Sequence, residues 1–285
     1  MKYTITGATG NLGSKIINQL LKEVAPEELR AIVHTPAKAR FLQELGVEVK
    51  RGDYHDRPSL VEAFQGTDLL IYVPSKTYDV LDRVTEMENV LAAMKTAKVK
   101  QIIFVSFFAD QENNPFVMSP YYGYAPRRLA TSGLEYAVVK NALYADPLVP
   151  YLPELIERKK LIYPVGNEAL SFISLDDSAE AIAKLALQPD LRNACQTYLL
   201  SQSENYQMSQ LGAIMTEVTG REIGYEPVTL QEFATIYAAE GDGAELASMY
   251  AAGAMGLLST ITSDFRTITG HDPQGMKDFL AENYQ

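Results

Sequence analysis

The chain has 285 residues, 47% of them apolar or aromatic and 21% charged, and its 25 basic against 36 acidic side chains give a formal charge of −11. This composition excludes disorder as the main state and allows one large domain or two unequal ones with a sizeable core. The acidic balance argues against a surface that neutralises nucleic-acid phosphates, and a single cysteine, Cys195, excludes an intrachain disulfide.

No Cys or Cys/His cluster has zinc spacing, so no metal is expected. The first residues lead straight into a strand rather than into a basic and then apolar leader. No uninterrupted apolar stretch approaches the roughly 18 residues needed to span a bilayer. A reducing, cytoplasmic setting with no membrane partner is the expectation. Cys195 is expected as a semi-buried structural thiol, His271 as a surface residue, and His55 as a turn residue rather than a proton donor.

The first half alternates β-rich runs with amphipathic ones. Strands are predicted at Tyr3 to Thr6, Ala31 to Val33, Val47 to Lys50, Leu69 to Val73 and Ile102 to Ser106. Between them, apolar spacing predicts helices at Leu12 to Lys22, Ala37 to Leu45, Ser59 to Phe64 and Val80 to Thr96. This order implies right-handed crossovers and a mostly parallel sheet covered on both faces. TDLLIYV and QIIFVSFF are apolar almost throughout, as doubly buried strands should be. After Ser106 the segment ADQENNPFVMSPYYGYAPRR reads as a functional loop or lid. A helix end at Arg127 to Ser132 and a strand at Tyr136 to Val139 follow. DPLVPYLPELIERKK is Pro-punctuated and receives no element. Ser174 is expected to cap a helix running to about Leu187, with Asp176 and Asp177 in its first turn. QTYLL is a further strand. From Met208 onward the chain reads as mostly helical, with one strand at Ile223 to Glu226 and a small-residue run, AAGAMG.

The fold class expected is α/β: a Rossmann-type, doubly wound parallel sheet with a smaller, mainly helical C-terminal domain. The dinucleotide-binding part spans 1–145 and continues over about 170–201. Residues 146–169 and 202–285 form the smaller, substrate-covering part.

Directly after the first strand stands Gly7-Ala8-Thr9-Gly10-Asn11-Leu12-Gly13, leading into IINQLL. Glycines at this spacing allow a sharp turn, close approach of backbone to a pyrophosphate, and tight helix packing. The free N–H groups of the helix start would then bind phosphate. A strand before and a helix after make this a dinucleotide fingerprint rather than a chance glycine turn. At the end of the second strand an acidic residue would select NAD and a cation NADP. Position 34 is His, which removes the acidic signature and supplies only a partial cation. With Lys38 and Arg40 on the following segment, NADP is favoured over NAD. Asp53, in Gly52-Asp53-Tyr54, can accept the adenine amino group or serve as a turn aspartate. Val73, Pro74 and Ser75 follow the fourth strand at the carboxyl edge, where ligands gather.

TGATGNLG, VHTPAKA, GVEVKRGDYHD and QIIFVS occur in the order and register of the NmrA-like, atypical short-chain dehydrogenase/reductase family, which this chain resembles, in particular its branch of quinone and triphenylmethane-dye reductases. The resemblance continues through LATSGLEYAVVKNALY, FISLDDSAEAIAKLAL and TGHDPQGMKDFLAENY. It implies NADPH and substrate held between a Rossmann domain and a small helical one, and hydride transfer to quinones or similar aromatics. Gly7, Thr9, Gly10, Asn11, Leu12 and Gly13 match the family's phosphate loop. His34 stands where relatives usually carry the arginine for the 2′-phosphate. Asp53 and Tyr54 match adenine-side positions, and Val73, Pro74 and Ser75 match the cofactor-lining strand end. Lys140, Asn141 and Tyr144, in KNALY, match the loop past the nicotinamide and the substrate mouth.

Typical short-chain dehydrogenases use Tyr-x-x-x-Lys, in which lysine lowers the pKa of a tyrosine acid. In YYGYAPRRLA, Tyr121, Tyr122 and Tyr124 are followed four positions on by Ala125, Pro126 and Arg128. Arg is no substitute for a Lys that must reach ribose and phenol together, and Arg127 stands where several relatives have lysine. The catalytic group is therefore open, with Tyr124, Arg127 and Lys140 as candidates. Quinone reduction asks less of the protein, because the cofactor carries the hydride. Phe107, Tyr122 and Tyr144 are candidates for the acceptor ring, although aromatic clusters in α/β proteins are commonly core.

The expectation is thus an NAD(P)H-dependent reductase of conjugated aromatic acceptors, without metal or flavin. The alternative is a non-catalytic redox sensor of the same family that binds dinucleotide and signals to a protein partner. A sugar-nucleotide epimerase ranks third for want of Tyr-x-x-x-Lys. A homodimer or a protein partner is left open.

Overall fold

The computed structural model describes residues 1–240 and 243–284. Residues 241, 242 and 285, which fall within the C-terminal stretch expected to be mostly helical, lie outside the described residues. The strands are β1 (Tyr3–Thr6), β2 (Leu29–Val33), β3 (Glu48–Arg51), β4 (Leu69–Tyr72), β5 (Gln101–Phe107), β6 (Glu135–Asn141), β7 (Leu143–Tyr144), β8 (Lys160–Leu161), β9 (Ala169–Ile173), β10 (Gln196–Leu200), β11 (Asn205–Gln207) and β12 (Gly224–Tyr225). The helices of the first half are α1 (Asn11–Leu20), α2 (Arg40–Glu44), α3 (Arg57–Phe64), α4 (Val80–Ala97), α5 (Ser119–Ala130) and α6 (Leu148–Arg158). Those that follow are α7 (Leu175–Leu187), α8 (Pro189–Arg192), α9 (Met208–Thr219), α10 (Leu230–Ile236), α11 (Gly243–Ala254), α12 (Asp264–Thr269) and α13 (Met276–Asn283).

Seven strands form one sheet in the order β10-β6-β5-β4-β1-β2-β3. Every neighbouring pair from β3 through β5 is parallel. The order runs outward from β1 in both directions, so the fold is a doubly wound, Rossmann-like α/β fold. The switch point lies between β1 and β4, where such folds bind ligands. β1, β2 and β4 are buried over their whole length; β4, LLIY, is accordingly apolar throughout, while β1 buries Thr4 and Thr6 and β2 buries Arg30. α1 buries Leu12, Ile16, Ile17 and Leu20 as a single face.

The chain separates into two compact units. The first comprises Met1–Ser106, Tyr124–Lys140 and Ser178–Tyr198, and the second Phe107–Gly123, Asn141–Asp177 and Leu199–Gln285. Residues 107–123, 141–145, 170–177 and 199–201, assigned from sequence to the dinucleotide-binding part, thus group with the second unit. Two hydrogen bonds show why for 107–123: Gln111 Nε2 donates to the Leu257 carbonyl at 3.0 Å, and Val117 N–H donates to Ser248 Oγ at 3.2 Å. Within the second unit β9 pairs antiparallel with β11 and parallel with β7, while β8 and β12 make a separate parallel pair. The AAGAMG run has a packing reason, because a Cβ on Gly253 of α11 would stand 2.9 Å from the side chains of both Val165 and Leu170.

Several expectations need correction. The loop predicted after β5 is helical from Ser119, because Tyr121, Ala125 and Leu129 line one buried face at i, i+4 and i+8. The Pro-punctuated stretch is α6. The helix predicted over Ala37 to Leu45 is a 3-10 turn, Pro36–Ala39, followed by the short α2. The strand at Ile223 to Glu226 shrinks to β12. Cys195 is exposed, at φ +54° in the turn before β10. The expected cap of α7 is present, since Asp177 N–H donates to Ser174 Oγ at 3.0 Å. Among the described residues no helix is long and apolar enough to cross a membrane.

Candidate functional site

Gly7 leaves β1 at φ +61°, in the left-handed region that only glycine adopts without strain. The turn closes when Gly10 N–H donates to the Gly7 carbonyl at 2.9 Å, and Gly10 becomes the N-cap of α1. No side chain caps α1 and no acidic residue stands in its first turn. Its first N–H groups, on Asn11, Leu12 and Gly13, therefore meet neither an intrahelical acceptor nor a local anion. A Cβ on Gly13 would lie 2.2 Å from the Gly7 carbonyl oxygen, so the loop and the first helical turn touch backbone to backbone. Thr9, Gly10 and Asn11 are exposed. An uncapped helix start reached through an open cradle of this kind fits a pyrophosphate.

The end of β4 is tied to this loop through Val73. Its N–H donates to Thr6 Oγ1 at 3.0 Å, while its carbonyl accepts the Tyr54 hydroxyl at 2.6 Å and the Thr6 hydroxyl at 3.2 Å. Gly7, Tyr54 and Val73, all singled out from sequence, are thus brought together at the switch point. The hydroxyl of Ser75 donates to Glu86 Oε2 at 2.6 Å. Burial raises the Glu86 carboxyl above its usual range, against the Ser75 hydrogen bond and the charge of Arg83, which lower it.

Parallel pairing of β2 and β3 sets Val33 opposite Arg51, which brings the residues beyond both strand ends together. His34 Nε2 lies 3.4 Å from Asp53 Oδ2, and Arg51 Nη2 lies 3.6 Å from the same oxygen. His34 is 74% exposed. Lys38 is exposed on the 3-10 turn that follows. Arg51 also pairs with Asp56 at 3.1 Å. Sequence inspection missed Arg51, for its only signal is adjacency to Gly52-Asp53; cross-strand register reveals that this cation shares a carboxylate with His34.

On α5, the Tyr124 hydroxyl donates to Glu88 Oε1 at 2.6 Å, and Arg128 grips the same carboxylate through Nε at 2.7 Å and Nη2 at 3.1 Å. Burial raises Glu88, but the bonds from Arg128 and Tyr124 outweigh it and hold the carboxyl below its usual range. Burial and the Glu88 carboxylate push the Tyr124 phenol up. That is the reverse of the lowered pKa a Tyr-Lys pair produces. Arg127 is exposed and Lys140 half-buried.

In the second unit, Phe107 stands 5.6 Å from Tyr122 and 5.9 Å from Phe116, centroid to centroid, and Phe116 stacks on Tyr122 at 16°. Phe107 and Tyr122 are half-buried, an arrangement that leaves apolar ring surface for a planar ligand. Tyr144 ends β7 opposite Ile173. Asn141 is buried, its carbonyl accepting the Phe108 N–H at 3.2 Å. A second aromatic set, with Tyr163 stacked 4.9 Å from Tyr250 and Phe233 4.7 Å from Tyr237, was not anticipated.

Comparison with known proteins agrees with this fold. Residues 1–259 match the profile of the NmrA-like family. Quinone oxidoreductase 2 of Escherichia coli (strain K12) is 30% identical over 247 residues, which are 87% of this chain and 85% of that one. The crystal structure of Citrobacter sp. triphenylmethane reductase complexed with NADP(H) matches with a TM-score of 0.92 at 27% identity, over 99% of this chain and 100% of the other. A Staphylococcus aureus structure described as a nucleoside-diphosphate-sugar epimerase matches with a TM-score of 0.92 at 42% identity, over 99% and 100% of the two chains. The chain belongs to the NmrA-like family.

Proposed function

We propose that the chain is an NAD(P)H-dependent reductase that passes hydride directly to quinones or similar conjugated aromatic acceptors, with NADPH as the preferred cofactor. The glycine cradle carries this reading, because Gly7 and Gly13 meet backbone to backbone with no room for a Cβ, and the uncapped start of α1 opens to solvent at Thr9, Gly10 and Asn11. When bound, the reduced nicotinamide supplies the hydride. The chain supplies position and exclusion of water. Asn11, Leu12 and Gly13 hold the pyrophosphate, with Thr9 beside them. Asp53 and Tyr54 take the adenine side, and Val73, Pro74, Ser75 and Asn141 line the rest of the cofactor. Phe107, Tyr122 and Tyr144 offer ring surface to the acceptor. Tyr124 keeps its proton, directed at Glu88, so the proton that completes a hydroquinone comes from water; Arg127 and Lys140 supply positive charge to the developing oxyanion.

Sugar epimerisation, the description borne by the Staphylococcus relative, requires a proton carrier at the reacting oxygen. The Glu88–Arg128 clasp on Tyr124 argues against one here. The reading is tested by NADPH oxidation against a panel of quinones and triarylmethane dyes, with no flavin added. Turnover with at least one acceptor is expected. Cofactor bound with every acceptor left unreduced would overturn it and favour the non-catalytic sensor, which should bind oxidised and reduced cofactor alike.

For NADPH preference, the 2′-phosphate falls to Arg51, with His34 and Lys38 as helpers. Hydrogen bonds to charged groups are worth about 1.5–3 kcal/mol, so Arg51→Ala should weaken NADPH at least about tenfold and leave NADH unchanged. His34→Arg should strengthen NADPH by a similar factor. Parallel calorimetric titrations of both cofactors check this, and equal effects on the two would remove Arg51 from the role.

A further inference from the structure

We propose that His55, Asp82 and Glu86 form a binding site for one divalent transition-metal ion of the zinc class, on the loop after β3 and the first turns of α4. Asp82 and Glu86 stand at i and i+4, so both carboxylates share one face of α4. His55 faces them from the loop, with Nε2 3.2 Å from Asp82 Oδ1 and 3.6 Å from Glu86 Oε1. All three donor atoms lie within 4.8 Å of one another. An ion with bonds of about 2.0–2.2 Å and tetrahedral angles holds its donors roughly 3.3–3.6 Å apart. The imidazole already stands near that spacing from each carboxylate, and the two carboxylates lie within 4.8 Å of each other.

The ligands are held in place before any ion arrives. Asn89 Nδ2 of α4 donates to the Tyr54 carbonyl at 2.8 Å, and His55 N–H donates to Asp53 Oδ1 at 2.9 Å, so the loop presents His55 to the helix. Asp79 caps α4 by accepting from the Asp82 N–H at 2.8 Å. Ser75 fixes the far oxygen of Glu86 at 2.6 Å, which leaves Oε1 as the atom turned toward the imidazole. Such outer contacts orient ligands in metal sites generally.

Charge points the same way. The Glu86 side chain is only 5% exposed, and a buried carboxylate beside a second one calls for positive charge. Arg83 meets part of that demand while donating to the Thr77 carbonyl at 2.7 Å. A divalent ion would neutralise both carboxylates. One imidazole and two carboxylates suit zinc and its neighbours better than calcium or magnesium, which take six or more oxygens or keep several waters. Water would complete the coordination.

Sequence inspection expected no metal because it sought ligands at short spacing. Here the histidine lies far from the carboxylates along the chain and meets them only through the packing of the β3–α3 loop against α4. The ion would clip that loop to the helix, next to Tyr54 and Ser75.

The test is calorimetric titration of the dinucleotide-free protein with Zn²⁺, paralleled by Co²⁺ absorption spectroscopy. One equivalent should bind with a Kd of about 10 µM or tighter, and the cobalt protein should show visible ligand-field bands of a nitrogen- and oxygen-bound site. His55→Ala and Asp82→Asn should each weaken binding at least tenfold, the scale on which even supporting residues act, and His271→Ala should leave it unchanged. Melting curves without metal confirm that the variants are folded; both replaced residues are partly exposed. Absence of saturable binding, or binding unaffected in His55→Ala and Asp82→Asn, would overturn the site, as would loss of binding in His271→Ala alone. No dinucleotide or acceptor is present, so failure here would leave the proposed hydride transfer untouched.

Discussion

Gly13→Ala is expected to abolish measurable NADPH binding and to lower the melting temperature, whereas Gly10→Ala does much less of either. The added Cβ at position 13 would meet the Gly7 carbonyl oxygen at 2.2 Å, its carbon at 2.8 Å and Ala8 Cα at 3.0 Å. These are backbone atoms, so no side-chain rotation relieves the clash; either the turn after β1 or the first turn of α1 must move. Overpacking costs about 1–3 kcal/mol, which at roughly 2–4 °C per kcal/mol for chains near this size lowers the melting temperature by about 2–12 °C. The same displacement pulls the N–H groups of Asn11, Leu12 and Gly13 off the phosphate. At position 10 the Cβ meets only the Gly7 oxygen, at 3.1 Å, with φ at an ordinary −80°. Thermal unfolding and calorimetric NADPH titration on both variants decide the matter. Binding by Gly13→Ala within threefold of wild type would show that the glycine loop does not hold the cofactor, and the proposed function would lose its base.

The glycine loop was legible because everything that defines it is local: a strand end, three glycines and a helix start within a few residues. The same holds for β4 and β5, whose apolar runs need no partner to be recognised. Legibility stopped where meaning depends on register. Arg51 acquires a role only through the β2–β3 pairing that sets Val33 opposite it. Glu88 meets Tyr124 and Arg128 only because α4 and α5 bring their side chains together. Proline misled in a different way. In α6, Pro147 is the N-cap and Pro150 stands in the first turn, where a missing N–H costs nothing. Pro153 alone interrupts the hydrogen-bond ladder. The stronger signal was Leu148, Leu152 and Leu155, buried at i, i+4 and i+7. Tertiary burial of that stripe outweighs one proline.

The largest loss of stability is expected from Arg30→Met, because Arg30 joins three elements with one buried guanidinium. The residue lies in β2 and is 7% exposed. Its Nε donates to Glu48 Oε2 of β3 at 3.0 Å, and Nη1 donates to the carbonyls of Ala63 and Gln65, at the C-terminus of α3, at 3.0 and 2.7 Å. Those carbonyls are ones that a helix end leaves without intrahelical partners, and α3 has no basic residue of its own in its last turn. Glu48 is 36% exposed and keeps Lys2 beside it, so the loss falls mainly on the two helix-end carbonyls, at about 1–3 kcal/mol for each group left without its donor, roughly a 4–24 °C fall in melting temperature at this chain length. Arg30→Lys should recover only part of it, since one ammonium cannot serve Glu48 and both carbonyls at once. Glu48 gives the loss a pH signature. Burial raises its carboxyl, but hydrogen bonds from Lys2 and Arg30, with their charges, prevail and hold it below the usual range. A carboxyl depressed in the folded state contributes stability above its unfolded pKa and loses it as pH falls through the folded one. The gap in denaturation midpoint between wild type and Glu48→Gln should therefore be full at neutral pH and close in acid. Side chains of β2, β3 and α3 that packed equally well without the guanidinium would leave Arg30→Met near wild type, and the cluster would then be ornament on an apolar core.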